Sequence, residues 1–102
     1  MFRWGKSTVV TKATLEDVVL AESEDIVSLE GNAYFPPDAV RWGHLVESDH
    51  TTVCPWKGVA SYFDAVIDGE THRNVGWTYR TPSAMAQSIT GHVAFWGKVN
   101  LT

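Results

Sequence analysis

Apolar and polar residues alternate with a period of two over most of the chain, broken by short polar turns. Such alternation marks strands that bury one face. Leu15 to Ala21 is predicted as a first strand, with Leu15, Val19 and Ala21 on one face and Val18 and Leu20 partly on the other. The polar turn Glu22–Asp25 precedes a second predicted strand, Ile26 to Phe35. Val27, Leu29, Ala33 and Phe35 share one face of it; Glu30, Asn32 and Tyr34 share the other. Gly31 reads as a bulge or a close backbone approach inside that strand.

Pro36-Pro37 ends it, because proline donates no ladder hydrogen bond. Asp38 then reads as the N-cap of a short helical turn reaching about Leu45, with Trp42 and Leu45 inward. Thr51 to Cys54 is a short extended piece. Val59 to Ile67 is apolar on both faces and is expected at the centre of a sheet. Asp68-Gly69 signals a tight hairpin to Val75–Tyr79. Thr81-Pro82 predicts a second short helix through Met85 and Ile89, ending near Gly91. His92 to Trp96 is a last strand, extended by Val99 and Leu101. The fold class expected is mainly β: a small single-domain antiparallel β-tent or barrel-like architecture with one or two short helices.

Composition agrees with the strands. Val, Ile and Thr supply 26 of 102 residues, the types that suit a pleated surface. At this length one domain is expected over 1–102. No apolar run nears the ~18 residues of a membrane span. The start, Met1 to Lys6, lacks a signal-peptide core. The single Cys54 excludes an internal disulfide, so the cytoplasm is the expected location. A net charge of −4 argues against nucleic acid as partner. No membrane partner is expected either, and the chain is expected as a monomer or weak homodimer.

The unusual count is aromatic: five Trp, three Tyr and four Phe. Phe35, Trp42, Phe63, Phe95 and Trp96 fall at core positions. Tyr34, Trp56, Tyr62, Trp77 and Tyr79 fall where a pocket wall is as reasonable as core. Trp4 and Trp56 are expected to be partly exposed. Cys54, Trp56, Lys57 and Tyr62 set a thiol, a cation and two aromatics within nine residues. Lys57 facing Cys54 would favour the thiolate, and His50 is the nearest base for it. Lys57 also suits an anionic ligand. Glu30 could accept a hydrogen bond or serve as a general base. Alternatively Glu30 and Lys57 form a structural ion pair. The candidate ligand-binding residues are Tyr34, Cys54, Trp56, Lys57, Tyr62, Trp77 and Tyr79. The catalytic candidates are Cys54, Lys57 and Glu30. No phosphate-cradling glycine loop, Cys-x-x-Cys or local histidine motif is present. No cofactor or metal is therefore expected.

Four blocks in this order resemble a known family. They are Leu20–Ser23, Glu30–Pro37, Cys54–Tyr62 and Trp77–Pro82, closed by Gly91–Trp96. The Cys-Pro-aromatic-Lys-Gly-x-Ala-x-Tyr pattern at Cys54 is specific. The chain is similar, from about Leu15 to Leu101, to the bacterial domain of unknown function 427. Residues 1–14 then form an N-terminal extension or an extra strand. The resemblance implies a β-tent: two antiparallel sheets leaning together and open at one end. That architecture is similar to the thalidomide-binding domain of cereblon, which holds its ligand in a tryptophan cage. The family's nucleotidyltransferase label finds no phosphate loop or metal-binding carboxylate pair here. Three functions are open: a small-ligand module with an aromatic cleft, an enzyme using the same cleft, or an interaction module with exposed aromatics.

Overall fold

A computed structural model describes residues 9–102. The leader reading at Met1–Lys6, with Phe2 and Trp4, lies outside the described residues. The strands are β1 (Thr11–Leu15), β2 (Val18–Ser23), β3 (Val27–Leu29), β4 (Asn32–Tyr34), β5 (Leu45–Cys54), β6 (Gly58–Ile67), β7 (Glu70–Thr78), β8 (Val93–Phe95) and β9 (Asn100–Leu101). The fold is mainly β and every strand pairing is antiparallel.

Turn chemistry sets the first departures from the predicted elements. A two-residue hairpin turn of type I′ needs positive φ at both central residues. Three turns meet this: Glu16-Asp17 at +51° and +65°, Glu30-Gly31 at +52° and +79°, and Asp68-Gly69 at +51° and +80°. The predicted strand Leu15–Ala21 is thus a corner between β1 and β2. The predicted strand Ile26–Phe35 is the β3–β4 hairpin, and Gly31 is its turn rather than a bulge. Glu30 therefore leaves the strand face assigned to it with Asn32 and Tyr34.

The predicted helices are shorter than expected. Pro37–Ala39, Trp42–His44 and Ala84–Ile89 are 3₁₀ turns without side-chain caps, so Asp38 caps nothing. Met85 points into solvent while Ile89 is buried. The extended piece at Thr51–Cys54 is the end of ten-residue β5. The last predicted strand stops at Phe95, and β9 joins a different sheet.

One sheet has the order β2-β1-β9 and a second the order β5-β6-β7-β8. β6 is central, as its two apolar faces require. The hairpin β3–β4 attaches beyond β8 through paired backbone hydrogen bonds between Phe35 and Val93, at 2.8 and 2.9 Å. Phe63, Ala65 and Ile67 on one face of β6 join a core with Leu15, Leu20, Phe35 and Phe95. Each such side chain contributes roughly 1.5–3 kcal/mol when fully buried. Ala60 and Tyr62 on the other face join a second cluster with Tyr34, Tyr79, Ile89 and Ala94. Trp42 and Trp96 depart from their expected core positions and are 44% and 55% exposed.

Two bulges bend the central sheet around Asp64. β5 spends Glu47 to Thr51 where β6 spends Phe63 to Ser61, and β7 spends His72 to Gly76 where β6 spends Ala65 to Phe63. The Asp64 carboxylate accepts the Asn74 backbone N–H at 2.8 Å and sits 3.3 Å from Arg73 Nε. The Ser48 hydroxyl reaches across to Asn74 Oδ1 at 2.6 Å. Such bulges increase local twist and turn side chains toward one face.

Gly76 lies directly opposite Phe95 of the neighbouring strand β8, whose ring crosses over it. A Cβ there would lie 3.0 Å from the Phe95 ring and 3.1 Å from the Ala94 carbonyl. Gly76→Ala should therefore destabilise the fold by about 1–3 kcal/mol. Urea unfolding checks this, and an unchanged midpoint would show that Phe95 gives way freely.

Candidate functional site

Two hairpin tips meet over the second cluster. One is the turn Pro55–Lys57 between β5 and β6, closed by Gly58 at φ +116°. Its backbone is clamped by Ser83, whose hydroxyl donates to the Trp56 carbonyl at 2.5 Å and whose N–H donates to the Lys57 carbonyl at 2.9 Å. The other tip is Glu30-Gly31. Lys57 is only 7% exposed, and its ammonium hydrogen-bonds Glu30 Oε1. Glu30 Oε2 accepts the Trp56 indole N–H at 3.2 Å. The Lys57 Nζ also lies 5.3 Å from the Trp56 ring centroid and 5.6 Å from that of Tyr79, within cation–π range.

The charges here follow from those contacts. The hydrogen bond from Lys57 is the main force holding the Glu30 carboxyl below the ordinary 4.5; burial opposes it and the Trp56 N–H assists. Burial pulls the Lys57 ammonium down, but the Glu30 hydrogen bond and the nearby Tyr79, Tyr34 and Cys54 more than offset it, so the net direction is up from 10.5. Burial raises the Tyr79 phenol above 10.0, with Lys57 acting against it. At neutral pH the site is thus an ionised carboxylate on a buried ammonium, beside a neutral phenol.

Next to this pair an aromatic band crosses the sheet. His50 and Tyr62 rings are 4.7 Å apart, Tyr62 and Trp77 6.1 Å, and Trp77 and Trp96 6.2 Å. Tyr62 and Trp77 are direct cross-strand partners. Tyr34 meets Trp77 edge-on at 6.4 Å. The phenol of Tyr62 and the indoles of Trp77 and Trp96 all use their polar handles inside the protein. The Trp77 indole N–H donates to the Tyr34 hydroxyl at 3.2 Å, and that of Trp96 to the Asn74 carbonyl at 2.6 Å. The Tyr62 and Thr52 hydroxyls share a hydrogen bond at 3.2 Å. The rings are therefore fixed, and ring faces are what the band presents.

The structure brings Glu30, Tyr34, Cys54, Trp56, Lys57, Tyr62, Trp77 and Tyr79 together. Tyr34 and Tyr79 lie beneath the surface, at 1% and 5% exposure, rather than on it. Trp56 is partly exposed, as expected. Cys54 is half-buried and free. Among the described residues no base hydrogen-bonds its thiol, and the His50 ring packs on Tyr62 instead. The ion pair between Glu30 and Lys57 was the alternative to a catalytic role, and it is present.

Trp96 and the Asp64–Asn74 bulge network were missed, and His50, expected as a base for Cys54, instead stacks at the end of the band. The available signal was that β7 opens with five polar residues, Glu70 to Asn74, before its apolar half. A separate cleft of about 550 Å³ opens at the start of β7, lined by Glu16, His72, Arg73, Trp96 and Lys98 among others. Of the band, only Trp96 reaches it. Among the described residues no three or more His, Cys, Asp or Glu side chains converge as metal ligands. No helix there is long and apolar enough to cross a membrane.

The family model for the domain of unknown function DUF427 matches residues 5–101. The chain belongs to the DUF427 family. The match begins ten residues before the resemblance read from Leu15, and so takes in all of β1. No curated protein is similar enough to count as a relative.

The DUF427 chain should respond to pH at both ends through this pair. Glu30 has a lowered pKa, so its contribution is present above 4.5 and is lost as pH falls through the folded value. Lys57 has a raised pKa, so its contribution is full below 10.5 and is lost as pH rises through the folded value. The raised Tyr79 phenol adds to the alkaline loss above 10.0. Glu30→Gln should flatten the decline in melting temperature between about pH 5 and pH 3. An equally steep decline in the variant would assign it to other carboxylates.

Proposed function

We propose that this protein is a binding module for a small, flat ligand, seated on the band of Tyr62, Trp77 and Trp96 beside Lys57. The observation that carries the reading is the internal use of every indole N–H and phenol along that band. Rings whose polar atoms are already bonded recognise a ligand by stacking, which favours a planar partner. They are also held in place before the ligand arrives, so little side-chain entropy is lost on binding. An exposed Trp96 at one end and an exposed His50 at the other leave the band open to solvent.

The enzyme reading has less support. A Glu30 carboxylate held low by an ammonium is a weak base near neutral pH. Cys54 lacks the positioned base that a thiol nucleophile requires.

Tryptophan fluorescence titration with a set of planar heteroaromatic compounds tests the reading. At least one compound should quench saturably. Trp96→Ala should weaken that binding about three- to tenfold, the value of one ring contact. Trp42→Ala should leave it unchanged, because Trp42 packs on Phe63 on the opposite face of β6. Equal losses in both variants, or no quenching by any compound, would contradict the proposal.

A further inference from the structure

Glu30 and Lys57 differ in how firmly each is held. Lys57 sits in a turn whose backbone is tied twice to Ser83. Trp56, in the same turn, is tied by its own carbonyl. Glu30 comes from the tip of a hairpin whose two strands have three residues each. β3 is paired on one side only. The Glu30 side chain is 47% exposed, whereas that of Lys57 is 9% exposed. A fixed pair of donors therefore faces an acceptor on a short, solvent-exposed arm.

The donors have a specific arrangement. The Lys57 ammonium takes one oxygen of the carboxylate and the Trp56 indole N–H takes the other. Two donors that divide the two oxygens of one carboxylate form a bidentate seat, which adds geometric selectivity to charge. Buried aromatic side chains link this seat to the band. Tyr79 and Tyr34 surround the ammonium, and the Tyr34 hydroxyl receives the Trp77 N–H.

Resting on the flat-ligand reading above, we infer that Lys57 Nζ and Trp56 Nε1 form a carboxylate seat that Glu30 fills in the unliganded protein. The ligand class is a planar carboxylic acid. Its carboxylate replaces that of Glu30 on the two donors, its ring lies along the aromatic band, and the β3–β4 tip moves aside. Glu30 is then a built-in competitor. It keeps a buried ammonium paired when no ligand is present, since removing one partner of a buried pair is costly.

The test uses a variant that keeps the turn. Asn-Gly is the preferred pair for a type I′ turn, so Glu30→Asn preserves the hairpin while withdrawing the carboxylate from reach. Binding of benzoate and of neutral, isosteric benzamide is measured calorimetrically on the full chain. Benzoate should bind the Glu30→Asn protein at least tenfold more tightly than the unmodified protein, and benzamide equally to both. Adding Lys57→Met should abolish the gain. Should Glu30→Asn fail to fold, Glu30→Gln should give a smaller gain in the same direction.

An unchanged benzoate affinity, or a gain that survives Lys57→Met, overturns the inference. Benzamide binding without any benzoate gain would overturn the seat and leave the flat-ligand reading standing. The same gain shown by acetate, with benzamide binding no form, would support the seat and overturn the flat-ligand reading. Failure of benzoate, benzamide and acetate to bind any form overturns both.

Discussion

The central sheet is apolar on both faces, and each face must be covered. Along β6, Phe63, Ala65 and Ile67 point one way and Ala60 and Tyr62 the other. A sheet built so gains stability by covering both sides. One face packs on β1 and β2 together with Phe35, Val40 and Val99. The other is met only by the small β3–β4 hairpin and the 3₁₀ turn Ala84–Ile89. That second cover is too small to close the face, so an aromatic strip stays open beside a charged corner.

The corner exists because the small cover has to be fastened at its far end. At its near end the hairpin continues the sheet through Phe35 and Val93. At its far end it is fastened by Glu30 on Lys57 and Trp56, across 27 residues of sequence. An exposed salt bridge contributes little. This one differs because its cation is buried, and a buried cation without a partner is expensive. The same fact gives the corner chemical meaning: whatever approaches Lys57 must offer negative charge, or Glu30 stays. Structural fastening and the proposed anion recognition both follow from one arrangement.

Much of this was legible in the chain. The apolar run Val59–Ile67 announced a central strand, and Asp68-Gly69 announced its hairpin. Lys57, Glu30, Tyr62 and Trp77 were identifiable as a group, including the possible ion pair between the first two. What failed was local. Glu16-Asp17 is two consecutive acids, and no periodicity shows that both residues take positive φ. Glu30-Gly31 was read as a bulge because the apolar alternation on either side continues in phase across the turn. Trp96 was read as core because it follows three buried residues, yet β8 ends one residue earlier and its indole turns outward to Asn74. The bulges around Asp64 depend on hydrogen bonds between three strands, which a pattern along one strand does not contain.

The corner and the band are proposed to act as one ligand site. The direct measurement is the set of indole N–H signals in a ¹H–¹⁵N spectrum during titration with benzoate. The indoles of Trp56 and Trp77 should shift together and saturably, the first because its Glu30 acceptor is replaced and the second because a ring settles beside it. The Trp42 indole, bonded to the Pro37 carbonyl at 2.8 Å, should stay in place. Shifts confined to Trp42, or Trp56 and Trp77 unmoved at saturating benzoate, would contradict the account.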